Sequence, residues 1–321
     1  MNVPFGEVFK HLGANKTARA YPDRHDLRCA DGLLWPTCQP SFRIDPASKP
    51  AVFTIGSCFA RNIEEALLPL GFELPTRDLI TPPVERGRLR PNAVLNEFNP
   101  GTMQQRILYA LTSREFDDET LVPAAGGLVA DLLLVHGVDV SLERARERRR
   151  EIARVYQRLL ASQYVIITLG LVESWFDNHA RIYLNRMPPV PVMKANPDRY
   201  AVRTLDAAEC FELLEPAIRA LVDHRLKVIL TVSPVPLHAT MQLADAVVAN
   251  EASKAALRVC VDRLSRQFHH MDYFPSYEIV RSGGLASYED DNLHVKSQVV
   301  HRITGFMVQA YCRPADLARS A

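Results

Sequence analysis

The sequence predicts an α/β fold in three layers, with a mostly parallel sheet of about five strands covered by helices on both faces. Three observations carry this. Short, continuous apolar runs recur along the chain, and amphipathic helical patterns fill the intervals between them. A strand that is apolar on every residue is buried on both faces, as happens when crossover helices cover a parallel sheet above and below. Finally, 321 residues with 47% hydrophobic and 23% charged side chains can bury a large core without disulfides or metals.

The elements follow in order. Residues 1–50 read as an irregular N-terminal extension, interrupted by Pro22, Pro36, Pro40, Pro46 and Pro50. Ala51-Val52-Phe53-Thr54-Ile55 is the first buried strand. Phe59, Ile63, Ala66, Leu67 and Leu70 then fall on one helix face, and Gly71 is placed to end that helix. Residues 75–140 are mixed: Pro82, Pro83, Pro91 and Pro100 break them into loops around a short helix at 103–111 and a strand at 129–135. Ser141 caps a helix running to about residue 162. Its run from Glu143 to Glu151 is striped with both signs of charge and reads as a solvated face. Strands follow at 164–169 and 226–232, with a weaker one at 270–274, separated by helices at about 207–224 and 249–268. A last helix spans roughly 296–311. Residues 75–140 and 176–205, the latter with Pro188, Pro189, Pro191 and Pro197, are long enough to be lid insertions in a domain of residues 51–312, leaving 313–321 as a tail.

Composition excludes several classes. With 38 basic and 37 acidic residues the net charge is +1, which argues against a partner that is nucleic acid or an anionic membrane. No apolar stretch approaches the roughly 18 residues of a membrane span, and no leader pattern opens the chain. Cys29, Cys38, Cys58, Cys210, Cys260 and Cys312 are scattered without a CxxC pair. His269, His270 and His301 have no recognisable co-ligand, so neither a metal nor a cofactor is expected. The chain reads as reduced and cytoplasmic.

In an open parallel sheet, ligands bind beyond the carboxyl ends of the strands, so the residues just after each strand are the candidates. After the first strand, Gly56-Ser57-Cys58 forms a turn into a helix. Unpaired N–H groups and the positive end of the helix dipole meet there, which favours a thiolate and can hold an oxyanion. Ser57 as a helix cap with Cys58 as a small filler is the competing structural reading. Asp291-x-x-His294, before the last helix, has the spacing for a carboxylate to orient an imidazole base. Gly170, Glu173 and Trp175 lie at the exit of the second long strand and Ser233 at that of the third, as candidate substrate contacts. Glu173 can instead hold a neighbouring loop. Asn99, in an Asn-Pro-Gly turn, can aim its amide at the site.

These residues carry a resemblance. Phe53-Thr54-Ile55-Gly56-Ser57-Cys58-Phe59-Ala60 resembles the opening motif of the GSCFA family. Asn96-Glu97-Phe98-Asn99-Pro100, Thr168-Leu169-Gly170, Thr231–Pro236, the Asn250–Arg258 segment, Tyr273–Ile279 and Asp291-x-x-His294 are similar to its later segments, in the same order. The family is grouped with the SGNH (GDSL-like) hydrolases. The resemblance therefore implies a flavodoxin-like α/β/α sandwich and acyl chemistry by a nucleophile, His294 and Asp291. Laid on Gly-Asp-Ser-Leu, the chain puts Cys58 at the nucleophile and Ser57 at the aspartate, with Ser57 the alternative nucleophile. The Gly-x-Asn-Asp block is replaced by Gly170-Leu171-Val172-Glu173, and Val172 has no side-chain donor. The Cys58 N–H, Asn99 and Gly170 are then the candidates to complete an oxyanion hole. The expected reaction is hydrolysis of an ester or thioester on a small-molecule or carbohydrate substrate through an acyl-Cys58 intermediate. Transfer from a thioester donor to another acceptor, and a catalytically degenerate binding scaffold, are the alternatives.

Overall fold

The computed structural model describes residues 3–15 and 18–312, so the expected tail at 313–321 lies outside the described residues. The chain opens with helix α1 (Phe5–Ala14), a regular element inside the extension that its prolines mark as irregular. A small hairpin, β1 (Cys29–Ala30) and β2 (Leu33–Leu34), follows. Then come β3 (Val52–Gly56), α2 (Cys58–Leu67), the short α3 (Pro83–Arg86) and α4 (Pro100–Thr112). The antiparallel pair β4 (Leu121–Pro123) and β5 (Val129–Asp131) precedes α5 (Leu142–Gln157) and β6 (Tyr164–Leu169). Next are β7 (Glu173–Asp177), β8 (Ile182–Leu184), α6 (Val190–Ala195) and β9 (Tyr200–Thr204). The chain continues through α7 (Ala207–Asp223), β10 (Lys227–Val232), α8 (Ala246–Gln267), β11 (Met271–Tyr273), α9 (Ser276–Ser282) and α10 (Ser297–Tyr311).

The central sheet is parallel throughout, in the order β11-β10-β6-β3. Its two faces carry alternate residues of each strand, as the pleat requires. Phe53, Ile55, Val165, Ile167, Leu169, Val228 and Leu230 join α5, α7 and α8 in one core cluster. Val52, Tyr164, Ile166 and Ile229 join α2, α9 and α10 in another. The three-layer α/β sandwich is thus present, with four strands rather than about five. Three hydrogen bonds occupy the free edge of β3 where a fifth strand would lie. Val52 N–H donates to Glu73 O at 2.8 Å, Arg61 Nη2 donates to Thr54 O at 3.0 Å, and Glu97 N–H donates to Gly56 O at 3.0 Å. The edge is satisfied by a bridge, a buried guanidinium and a loop instead of a ladder.

Two features depart from the sequence reading. The insertion expected at 176–205 falls largely within a three-stranded antiparallel sheet in the order β8-β7-β9, which the sequence reading does not include. The polar ends of β7 and the prolines between β8 and β9 hide its alternation. The charged stripe of α5 is also only partly solvated. Arg148 is buried against Glu85, Arg149 pairs with Asp131 at 2.8 Å, and Arg144 joins Glu85 to Glu151. These arginines fasten α3 and β5 to α5. Among the described residues, no helix is long and apolar enough to cross a membrane.

At Gly56, whose φ is +145°, β3 lies against Thr168 of β6. A Cβ there would lie 2.7 Å from both Thr168 Cβ and Thr168 O. Gly56→Ala therefore forces the two strands apart in a backbone region that alanine avoids. We expect it to lower the unfolding free energy by about 2–4 kcal/mol in a urea titration; a loss below about 0.5 kcal/mol would contradict the contact.

Candidate active site

The turn that Gly56 permits sets up the site. Ser57 is the N-cap of α2, and its Oγ accepts from Phe59 N–H. It is buried at 2% exposure and already bonded within the turn. Cys58 is the first helical residue and half-buried, with a free thiol. It lines an open groove of about 870 Å³ on the outer side of α2 and α10. The structural reading of Ser57 as a cap thus holds, and Cys58, not Ser57, lines the groove.

His294 lines the same groove. It sits on a hairpin-like loop closed by the Tyr288–Val295 bridge, with Asn292 at its tip in the left-handed region (φ +54°). Asp291 turns the loop: its Oδ1 accepts from Leu293 N–H and His294 N–H, both at 2.9 Å. Its Oδ2 accepts from His294 Nδ1 at 2.5 Å, which leaves Nε2 as the outward nitrogen. The side-chain hydrogen bond to His294, followed by the two backbone donors, lowers the Asp291 carboxyl to about 2. The imidazole side chain is 71% exposed, so water reaches it, and its hydrogen bond is to Asp291 rather than to the Cys58 thiol.

The groove holds two groups that sequence reasoning did not single out. Asn96 is 2% exposed and its backbone is clamped in a bridge to Gly56, two residues before Cys58. Asn185 Nδ2 donates to its carbonyl at 2.6 Å, while its own Oδ1 is buried with no hydrogen-bond partner. His136 is half-buried beside the ring of Phe98, and burial lowers its pKa, favouring the neutral imidazole. The signal for Asn96 was in the sequence. Asn96 and Asn99 belong to one similar segment, and only the bridge to Gly56 distinguishes them.

The remaining candidates lie elsewhere. Asn99 Oδ1 caps α4 by accepting from Thr102 N–H at 2.9 Å, so its amide is a helix cap and not a groove residue. Gly170 N–H donates to Phe98 O at 3.0 Å, and a Cβ at Gly170 would lie 2.7 Å from that oxygen. Its glycine serves close backbone packing, and its N–H is not available to an oxyanion. Glu173 is buried and binds a loop: it accepts from Thr240 Oγ1 at 2.5 Å, Met241 N–H at 2.7 Å and Gln242 Nε2 at 2.9 Å. Trp175 packs on the cluster around Val122, Ala130 and Leu132, beyond the groove. Ser233 is buried, its N–H bonded to Leu169 O and its Oγ accepting from Val235 N–H. A second cavity, of about 260 Å³, lies between α4 and α5 and holds none of these residues. Among the described residues, no group of three or more His, Cys, Asp and Glu side chains is placed to hold a metal ion.

The GSCFA family profile matches residues 51–306, most of the chain and all of the groove except Val308. This chain belongs to the GSCFA family. No curated protein matches it. Two solved structures are similar over nearly the full length. One is a GDSL-like lipase from Bacteroides thetaiotaomicron, with 10% identity over 94% of this chain and 96% of that one, and a TM-score of 0.40. The other is a protein described as an acylhydrolase from Bacteroides fragilis, with 10% identity over 97% and 98% and a TM-score of 0.37.

One further residue of this GSCFA chain shapes the sheet edge behind the groove. Lys254 on α8 is fully buried, and its Nζ donates to Gly170 O at 2.6 Å and Val235 O at 2.8 Å. It ties the exits of β6 and β10 together. Burial lowers its pKa to about 7, far below the usual lysine value near ~10.4. Between those two values the unfolded chain binds more protons than the folded one, so this residue makes stability rise with pH. Below about 7 both states are charged and the burial cost is present in full. Relative to Lys254→Met, the native protein should therefore gain up to ~3–5 kcal/mol of unfolding free energy between pH 7 and 10. Parallel stability curves for the two proteins across that range would refute it.

Proposed function

We propose that this chain is a hydrolase that cleaves an ester or thioester through an acyl-enzyme on Cys58. The observation that carries the reading is one groove holding both a thiol at the N-terminus of α2 and an imidazole whose Nδ1 is fixed by Asp291. The reaction requires the 288–295 loop, on which His294 is 71% exposed, to bring Nε2 to the thiol across the groove they share. His294 takes the thiol proton, and the sulfur attacks the acyl carbonyl carbon. The Cys58 N–H, among the unpaired donors of the first turn of α2, and the Asn96 amide receive the oxyanion. As the tetrahedral intermediate collapses, the bond to the leaving oxygen or sulfur breaks and that atom takes the proton from the imidazolium. His294 then deprotonates a water that attacks the thioester carbonyl, releasing the carboxylic acid and restoring the thiol.

Hydrolysis is favoured over transfer to another acceptor by the openness of the site. An S-acyl intermediate in a groove open to solvent, beside a mostly exposed imidazole, meets water first. Of the two insertions expected as lids, the first touches the site, with Arg90 Nη1 donating to Cys58 O at 3.2 Å. Part of the first, residues 88–96 and His136, forms groove wall, and the sheet from 173 to 204 packs around β4 and β5 instead. A small-molecule or carbohydrate acyl substrate fits such a site.

The test is acid release from acetyl thioesters and p-nitrophenyl acetate. Cys58→Ala and His294→Ala should each cost at least about 10³-fold in kcat. Asp291→Asn, which leaves the loop but reverses the ring's hydrogen bond, should cost about 10²-fold or more. Native turnover in Cys58→Ala removes the nucleophile and the proposal with it. Asn96→Ala should lower kcat by about 10²-fold with KM little changed, as expected for a donor used only in the transition state. A rise in KM alone would place Asn96 in substrate binding instead.

A further inference from the structure

We propose that the groove continues away from Cys58 as an apolar trough between α2 and α10 that seats the acyl chain of the substrate, and that Gly305 sets the chain length it accepts. The proposal rests on the acyl-transfer reading above and names the part of the substrate that reading leaves open.

Cys58 opens α2, and His294 lies just before α10. Both helices therefore start at the reacting end and run away from it side by side. The groove follows them. Its polar groups begin with Cys58, Asn96 and His294 and continue through Asn62, Glu65 and His301, with Arg90 bonded to Asn62 and Glu65. Toward the far end its walls are Ala66, Pro69 and Leu70 on one side and Val300, Gly305 and Val308 on the other. Residues 300, 304, 305 and 308 share one face of α10. From Ser297 to Val308 that face is about 16 Å long at the rise of an α-helix.

Two details identify the occupant. Along α2 and α10 the backbone groups bond within the helices, and Thr304 Oγ1 bonds the carbonyls of Val300 and His301 at 3.0 Å. The trough thus lacks the row of free backbone groups that an extended peptide needs, and offers apolar contact to a chain that needs no hydrogen bonds. The second detail is Gly305. Glycine inside a helix weakens it, so its place in the middle of α10 calls for a reason. The fold supplies none: a Cβ there would meet nothing within 4 Å, and its φ is not positive. A side chain at 305 would project into space that the protein itself does not fill. Leaving that space empty for a ligand accounts for the glycine.

The experiment compares the native protein with Gly305→Ala and Gly305→Leu on acetyl, butyryl, octanoyl and dodecanoyl p-nitrophenyl esters, each variant first checked by thermal unfolding. Neither substitution should lower the melting temperature, since both improve helix propensity. For the native protein kcat/KM should rise with chain length by up to about fourfold per methylene buried. In Gly305→Leu the dodecanoyl-to-acetyl ratio should fall at least tenfold, with Gly305→Ala between. Turnover with the same chain-length profile in all three proteins overturns the trough and leaves the acyl-enzyme intact. If no ester is turned over, the catalytic reading fails, and the trough is judged by displacement of a fluorescent fatty acid with dodecanoate. Saturable displacement by the native protein that weakens at least tenfold in Gly305→Leu upholds it; no saturable binding, or equal binding by both, overturns it.

Discussion

The contact between Gly56 and Thr168 is the constraint on which the site depends. Parallel strands β3 and β6 approach so closely at this point that only a residue without a Cβ fits. The chain can then leave β3, turn through Ser57 and enter α2 within two residues. That brevity puts Cys58 at the first helical position, where backbone donors are unpaired. The carbonyl of Gly56 also anchors Glu97 N–H, which brings Asn96 alongside. One close backbone approach thus fixes both the thiol and its amide neighbour.

The imidazole arrives by a different route and is held differently. Nothing packs the 288–295 loop as tightly as the β3 turn is packed; its shape comes from a short bridge and from the Asp291 carboxylate bonding two N–H groups and one ring nitrogen. The thiol is thus placed by a strand-to-helix turn, and the imidazole by a loop held by its own hydrogen bonds.

Behind these groups the sheet's carboxyl edge is stabilised by buried polar side chains. Lys254 joins the exits of β6 and β10, Glu173 holds the 240–242 loop, and Arg61 covers the free edge of β3. In the sequence Glu173 has two readings, substrate contact or loop anchor, because a glutamate after a strand serves either. Its three donors, all from one loop, decide for the anchor. Asn99 and Gly170 illustrate the same limit. An Asn before Pro-Gly and a Gly after a strand are compatible with an oxyanion hole, and equally with a helix cap and a tight backbone crossing.

The sequence by itself determined the parallel sheet, the helices that cover it, the Gly56-Ser57-Cys58 turn and the Asp-x-x-His segment. Each is encoded locally, by runs of apolar residues, by helical spacing, or by a carboxylate three residues from an imidazole. Only the tertiary structure decided that the sheet stops at four strands, that residues 173–204 form a second sheet, and that Asn96 rather than Asn99 reaches the groove. It alone placed Gly305 on an open helix face in the groove lining. These depend on which distant segments meet, and a strand edge, a cap or an empty helix face carries no mark in its own residues of what the fold will bring beside it.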